Sequence, residues 1–420
     1  MFRLLGPLFS TIPSSLMPII AVLGTLDSKG AEHAYLAGCI RARGHEPLLI
    51  NVGSLDEPTI HPDVSAEEVA EASGEDWQAI LAQQDRGECV ALMARAAAKY
   101  VSGLVESGRI QGVVSLGGGG GTAICTAAMR ALPIGFPKVM VSTLASGNTA
   151  PYVGTKDILM MPAIVDVAGI NRLSRVIFEN AAGAICGMVE AAELRKQRPV
   201  SDRPLIVASM FGNTTACVTE AKELLEAAGY EVLVFAATGN GGRAMESLIE
   251  SGMVAGVLDI TTTEWADELL GGVLNAGPER LDATAKAKVP AIVTPGCLDM
   301  VNFGEPQTVP AKFAGRTFYH HNPQVTLMRT SPEECAQLGK IIAEKVNTYS
   351  APVTMLLPLK AISVISAEGK AFHDPKADAA LFAAIKEHLR ADIPVIEMDV
   401  EINDSSFATA CAENLLVNMR

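Results

Sequence analysis

Three stretches of the sequence carry residues whose types and spacing could do chemistry. The sharpest is Leu116-Gly117-Gly118-Gly119-Gly120-Gly121-Thr122, five glycines followed by a hydroxyl. Between a strand and a helix, such a run lets backbone amides approach an anion without Cβ obstruction, and the helix N-terminus aims its unpaired N–H groups the same way. A tight turn alone needs only one or two glycines, so the run points to a phosphate. Neither standard template is met. A Walker motif needs lysine where Gly121 stands, and although Gly118, Gly120 and Ala123 fit G-x-G-x-x-A, that match is weak inside a glycine run. The acidic ribose partner of a dinucleotide fold is also missing, because no Asp or Glu occurs from Ser107 to Lys156. That window holds Arg109, Arg130, Lys138 and Lys156 and reads either as a phosphate-friendly field or as a low-charge core segment.

The second stretch is Gly24-Thr25-Leu26-Asp27-Ser28-Lys29-Gly30, which offers hydroxyls, a carboxylate and a lysine after the first apolar run. Asp27 or Ser28 has an alternative duty as helix cap, whereas Lys29 has no such structural role. Ser142, Thr143, Ser146 and Asn148 follow a later apolar run and are placed to close the same pocket. In the second half, Phe211-Gly212-Asn213-Thr214 and Thr238-Gly239-Asn240-Gly241-Gly242-Arg243 are further loops entering helices, so a facing domain could touch the ligand. Thr261 to Glu264 reads as a capping box, Thr-x-x-Glu. The third stretch collects Cys297, Asp299, Asn302, His320 and His321; a thiol near two histidines suggests a nucleophile or a zinc site, without the spacing that would specify either.

The elements that must hold these residues form a repeating pattern of apolar run, glycine- or threonine-rich turn and amphipathic stretch, the mark of βαβ units. Ile19 to Leu23, Pro47 to Val52, Gly112 to Leu116 and Lys138 to Ser142 are continuous apolar runs, as buried parallel strands require. A second series from Pro204 echoes the first in the same order. "SGRIQGVVSLGGGGG" at Ser107 matches "SGMVAGVLDITTTEW" at Ser251, and "PKVMVSTLASG" at Pro137 matches "PAIVTPGCLDM" at Pro290. The expected fold is therefore α/β, with two Rossmann-like, doubly wound domains of mostly parallel strands spanning 17–198 and 199–420. They join near Leu194 to Pro204, where the helix suggested by Ile170 to Glu193 ends before Pro199. The first domain carries an extra segment, Ser54 to Ala94. Residues 1–16 read as a frayed or over-extended terminus, with Met17 as an alternative start. Toward the end, Ser331 and Asp374 are helix N-caps, "PVTMLL" and "IPVIEMDV" are strands, and "NDSSFATACAENLL" is a final helix.

Composition bounds the reading. With 49 % hydrophobic and 19 % charged residues the 420-residue chain is a multi-domain globular protein rather than a disordered one. Its 33 basic against 47 acidic side chains, a net −14, argue against nucleic acid or an anionic membrane as partner, so any anion must be held locally. The eight cysteines lie far apart without a C-x-x-C and read as reduced thiols of a cytoplasmic protein. No apolar run is long enough to span a bilayer.

Taken together, "GTLDSKG", "DRGECV", "LGGGGGT", "STLASGN", "FGNTT", "ATGNGG", "PGCLDMVNFG", "HHNP" and "INDSSFA" resemble the ATP-binding domain family of the tomato mosaic virus resistance protein and its uncharacterised bacterial relatives, from Ile19 to Leu416. The resemblance implies two Rossmann-like subdomains, ATP with magnesium held mainly by the first, and a homodimer. Carried over by position, it implies nucleotide contacts at Gly24, Thr25, Asp27, Asn51, Arg86, Gly117 to Thr122, Ser142 and Thr143. It adds Asp166 in "PAIVDVAGIN", with Asp27 or Asp166 on magnesium. The plant relative also bears a barrel-like domain, which points to a separate barrel-bearing protein as a partner here. The resulting expectation is Mg-ATP in an interdomain cleft with domain closure. Three uses are open: an ATP-dependent enzyme on a small second substrate, with Lys29 and Arg86 on phosphate and Cys297, His320 and His321 on the substrate side; a nucleotide-dependent regulatory protein without turnover; or a cysteine-based hydrolase centred on Cys297.

Overall fold

The computed structural model describes residues 17–53, 56–72, 74, 77–82, 85–197 and 203–420. The expectation for residues 1–16 lies outside them, whereas the helix expected to stop before Pro199 ends at Lys196. The chain divides into two compact units, Met1–Val200 and Ser201–Arg420. In the first, β1 (Ile19–Gly24), α1 (Leu26–Arg41), β2 (Glu46–Asn51), α2 (Ala66–Glu71), α3 (Trp77–Ala82) and α4 (Arg86–Glu106) are followed by β3 (Gly112–Gly117), α5 (Gly119–Ala131), β4 (Lys138–Ser142), α6 (Ala150–Val153), β5 (Leu159–Pro162) and α7 (Arg172–Lys196). The sheet is parallel throughout, in the order β2-β1-β3-β4-β5.

Strand alternation explains the layers. Ala21, Leu23, Val113 and Met140 point into a core shared with α4 and α5, while Ile20, Val22, Val114, Val139 and Val141 point into one shared with α1 and α7. Because both faces are covered, the strands read as unbroken apolar runs. The strand order reverses between β1 and β3, so the carboxyl ends of those two strands flank a crevice, the usual ligand position in such sheets.

The second unit contains β6 (Leu205–Met210), α8 (Thr215–Ala227), β7 (Glu231–Ala236), α9 (Asn240–Glu250), β8 (Val254–Thr261), α10 (Glu264–Leu270), α11 (Asp282–Ala287) and β9 (Ala291–Gly296). It continues through β10 (Met300–Phe303), β11 (Phe318–Asn322), β12 (Val325–Arg329), α12 (Pro332–Val346), β13 (Val353–Pro358), α13 (Pro375–His388), β14 (Val395–Met398) and α14 (Ser405–Asn418). Its parallel sheet runs β14-β13-β9-β8-β6-β7, the same plan with one strand more. The α/β class and the two Rossmann-like, mostly parallel units are thus those expected from the sequence. Ser331 caps α12 through a box with Glu334, and Asp374 caps α13, as their positions suggest.

Two features depart from the sequence reading. Residues 300–329, for which the sequence reading offers no element, form a small antiparallel sheet, β10-β12-β11, with β11 at its edge. The capping box at Thr261 to Glu264 does not form: α10 starts after Thr263 with no side-chain cap bond, and Glu264 turns elsewhere.

Candidate functional site

The crevice between β1 and β3 is a cavity of about 240 Å³ lined by Thr25, Asp27, Ser28, Lys29, Arg86, Val90, Gly118 to Gly121, Ile124 and Asp166. Each wall has a local cause. Gly118 is the N-cap of α5 without a side-chain cap bond, and no acidic residue occupies the first turn. The first backbone bond of that turn runs from Thr122 N to Gly118 O at 2.9 Å. The amides of Gly119, Gly120 and Gly121 therefore end the helix without internal acceptors, and they carry the positive end of its dipole.

The glycines divide into two kinds. A Cβ built on Gly119 or Gly120 meets nothing within 4 Å, and neither residue has positive φ. Their lack of side chain answers to no demand of packing or backbone angle in the protein, although each costs roughly 0.5–1 kcal/mol relative to alanine within a helix. At Gly117, instead, a Cβ would stand 3.2 Å from the Gly121 backbone, and at Gly24 one would stand 2.2 Å from His33 Nε2. Gly24 and Gly117 are absent from the cavity lining and have structural reasons of their own.

Other residues assigned by motif also fall outside the lining. Asn51 is buried, and its Oδ1 accepts from Leu26 N at 3.1 Å and from Gly53 N at 2.9 Å, tying the β1 and β2 loops together. Thr122 and Ser142 share a buried hydroxyl bond of 2.7 Å, and Ser142 Oγ accepts from Leu144 N. Thr143 is exposed, with its amide on Gly117 O. Asp27 and Ser28 do not cap α1; Thr25 occupies that position without a side-chain bond to a helix amide, and Asp27 Oδ1 accepts from Ser28 N at 2.6 Å.

The cavity's positive side chains are Lys29 and Arg86. Two cations of the acid-free window serve other ends. Lys138 is buried and paired with Asp157 at 2.7 Å, and Arg130 donates to the Pro151 and Tyr152 carbonyls. Arg86 opens α4, whose N-cap Asp85 accepts from Gly87 N and Glu88 N. Val90 and Ile124, which add an apolar wall, were not singled out in the sequence; they are apolar positions on α4 and α5 that cannot be told from core positions without the fold. Asp27 and Asp166, the two carboxylates assigned to magnesium, both line the cavity. Among the described residues no group of three or more His, Cys, Asp or Glu side chains is arranged for a metal. Magnesium bound with phosphates needs only one or two carboxylates, its other positions being filled by phosphate oxygens and water.

Cys297 and the two histidines are not brought together. Cys297 is fully buried among Met300, Leu327 and Phe372, at φ 59°, and burial with Asp299 nearby pushes its thiol well above the ordinary range. A thiol so placed is a poor nucleophile. His320 and His321 are exposed on the edge strand β11, where His320 borders a different, apolar hollow with Phe313 and Phe318. All eight cysteines are free thiols; Cys39 is partly exposed and the others are buried. No described helix is long and apolar enough to cross a membrane.

The corresponding edge of the second unit is filled by the protein itself. After β8, Glu264 Oε1 accepts from Gly239 N at 2.7 Å and Gly242 N at 3.1 Å, at the N-terminus of α9. Arg280, 1 % exposed, reaches Asp259 at 2.6 Å, Glu264 at 2.7 Å and Glu246 at 3.0 Å. Burial alone would lower its pKa, but the three carboxylates outweigh burial and keep the guanidinium charged. Thr214 and Thr261 close the β6–β8 gap with a 2.8 Å hydroxyl bond.

Fold and site define an α/β protein of two Rossmann-like units, the first open and anion-compatible at its switch point and the second self-filled. The chain belongs to the uncharacterised protein family UPF0261, whose N-terminal domain matches residues 18–194 and whose C-terminal domain matches residues 203–419. It is 50 % identical over 400 residues to a UPF0261 protein of Clostridium tetani (strain Massachusetts / E88), covering 94 % of this chain and 98 % of that one. It is 43 % identical over 337 residues to the ToMV resistance protein Tm-1(GCR237) of Solanum lycopersicum, covering 79 % of this chain and 44 % of the tomato protein. The ToMV susceptible protein tm-1(GCR26) of the same plant gives the same identity and coverage. The likeness therefore does not follow the resistance trait.

Proposed function

We propose that the protein binds ATP with magnesium through its first unit, the phosphates lying on the Gly118 to Gly121 turn. The observation that carries this reading is the pair Gly119 and Gly120: glycine is kept in a helical turn where a Cβ would meet only the cavity. Backbone amides and the helix dipole supply the anion cradle, and Lys29 and Arg86 add charge at its rim. Asp27 and Asp166 face the same space and are suited to a magnesium ion that arrives with the phosphates. The choice of ATP among polyphosphates rests on the family resemblance.

Isothermal titration with ATP, with and without magnesium, tests this. Saturable binding by the native protein that drops at least about a hundredfold in Gly119→Val, whose side chain fills the cradle, is the expected result. Equal affinity in the two proteins removes the glycine turn from the site, and no binding by either removes the nucleotide. A regulatory use without turnover is favoured by one feature: the lysine that follows the glycines of a P-loop is replaced by Gly121. Phosphate release well above one per bound nucleotide, from purified protein alone, overturns that second reading.

A further inference from the structure

We propose, resting on the anion-binding reading above, that His33 is a positioning residue that aims Lys29 into the cavity. Lys29 interrupts α1: its φ of −131° and ψ of 27° are non-helical and put a kink between two helical stretches. A lysine in a regular first turn would follow the helix surface; this one lines the cavity beside Gly118 to Gly121. Four residues on, the fully buried His33 holds the Lys29 carbonyl through its Nδ1 at 2.7 Å. A carbonyl only accepts, so Nδ1 carries the proton in this bond. Burial lowers the pKa of the ring, so it adds no charge to the anion site.

The bond alone is not distinctive, since His388 makes the same contact with the Ala384 carbonyl on another helix. The ring's other neighbour is what sets His33 apart. Nε2, Cδ2 and Cε1 lie 2.2 to 2.5 Å from where a Gly24 Cβ would be, so the last residue of β1 must be glycine for the imidazole to fit. The ring thus bridges the end of β1 and the break in α1. The glycine that opens "GTLDSKG" is then required by His33, and His33 in turn fixes the residue that faces the phosphates. On the same turn of the helix, the buried Glu32 accepts from Gly169 N at 2.5 Å, three residues beyond Asp166. One turn of α1 therefore anchors both the lysine and the segment bearing the aspartate.

The test is isothermal titration with inorganic triphosphate against the native protein, His33→Leu, His33→Asn, His33→Gln, Lys29→Met and the double variant Lys29→Met/His33→Leu, with the melting temperature of each. Asn places a donor near the Nδ1 position and Gln does not. Leu and Gln are expected to weaken binding by about tenfold and Asn by less than about threefold. In the Lys29→Met background His33→Leu is expected to change affinity no further, which a general loss of stability would not reproduce. Native-like affinity in His33→Leu, or the same tenfold loss with and without Lys29, overturns the proposal. If His33→Leu does not fold, the Asn and Gln pair decides: Asn tight with Gln weak supports it, and equal affinities overturn it. A native protein that does not bind triphosphate overturns the anion reading, and this inference with it; binding that is indifferent to His33 overturns this inference alone.

Discussion

The switch points of the two units share a backbone plan and differ in what fills them. In the first, the loop after β3 is glycine, the amides opening α5 face a cavity, and the side chains around it come from several elements. In the second, the position matching Gly120 is Glu264, whose carboxylate sits on the Gly239 and Gly242 amides with Arg280 balancing it. One unit leaves the amides opening α5 for an anion from outside; the other sets a carboxylate of α10, the helix matching α5, on the amides opening the neighbouring α9. The physics is the same in both, because unpaired N–H groups at a helix N-terminus need a negative partner. A Rossmann-like half can thus keep its fold while closing the place where such folds usually bind.

The largest test of that contrast is Arg280→Met. It leaves Asp259, Glu264 and Glu246 buried without their cation and is expected to lower the stability of the second unit by roughly 3–5 kcal/mol in urea unfolding. A loss below about 1 kcal/mol would show that the cluster is not what holds this edge closed.

Next in size is a pH effect. Burial pushes Asp267 up to about 7 against the bonds it accepts from Asn302 and Leu274, and pushes Asp299 up to about 6 against Arg329 and Ser363. Acids whose folded pKa is raised bind protons more tightly in the folded state, so their contribution is full below about pH 4 and is lost as pH rises toward 7. The second unit is expected to lose up to a few kcal/mol from these groups across that window, and Asp267→Asn to flatten the urea midpoint against pH. An unchanged slope in that variant would assign the pH dependence elsewhere.

Asn51→Ala comes third. Its side chain satisfies two loop amides rather than lining the cavity, so the expected cost is about 1–3 kcal/mol of stability in the first unit. A fall in nucleotide affinity at unchanged melting temperature would instead make Asn51 a ligand contact.

The smallest effect sharpens the contrast most. Gly120→Ala is expected to raise the stability of the first unit by about 0.5–1 kcal/mol while weakening triphosphate binding. Gly242→Ala, whose Cβ would meet the Glu264 carboxylate at 2.3 Å, is expected to lower stability in the second. Opposite signs in thermal melts mark a glycine kept for a ligand and a glycine kept for the fold; equal signs would erase the distinction.

The strands were the most legible part of the chain. Lys138 to Ser142 is β4 as read, and Ile19 to Leu23 is β1 short of one residue, because a parallel strand covered on both faces is an unbroken apolar run. The echo between Ser107 and Ser251 likewise foretold two units with one plan. The small antiparallel sheet was not legible: β10 and β12 are buried and apolar, and only the long-range pairing of β10 with β12 separates them from parallel strands. In the candidate site, the glycine run, the first turn and Arg86 could be named from motifs, yet the motifs named Gly24, Asn51 and Ser142 with equal force.

By itself the sequence determined the fold class and the stretches rich in glycine and hydroxyls, since these follow from local periodicity and residue type. Only the tertiary structure decided which glycines face space and which face a side chain. It also decided that Arg130 and Lys138 answer structural needs while Lys29 and Arg86 reach the cavity, and that Cys297 lies buried away from His320 and His321. The reason is physical. A residue's type fixes what it can donate or accept, but the neighbour that takes the bond, or the emptiness beside a Cα, is set by segments far away in the chain.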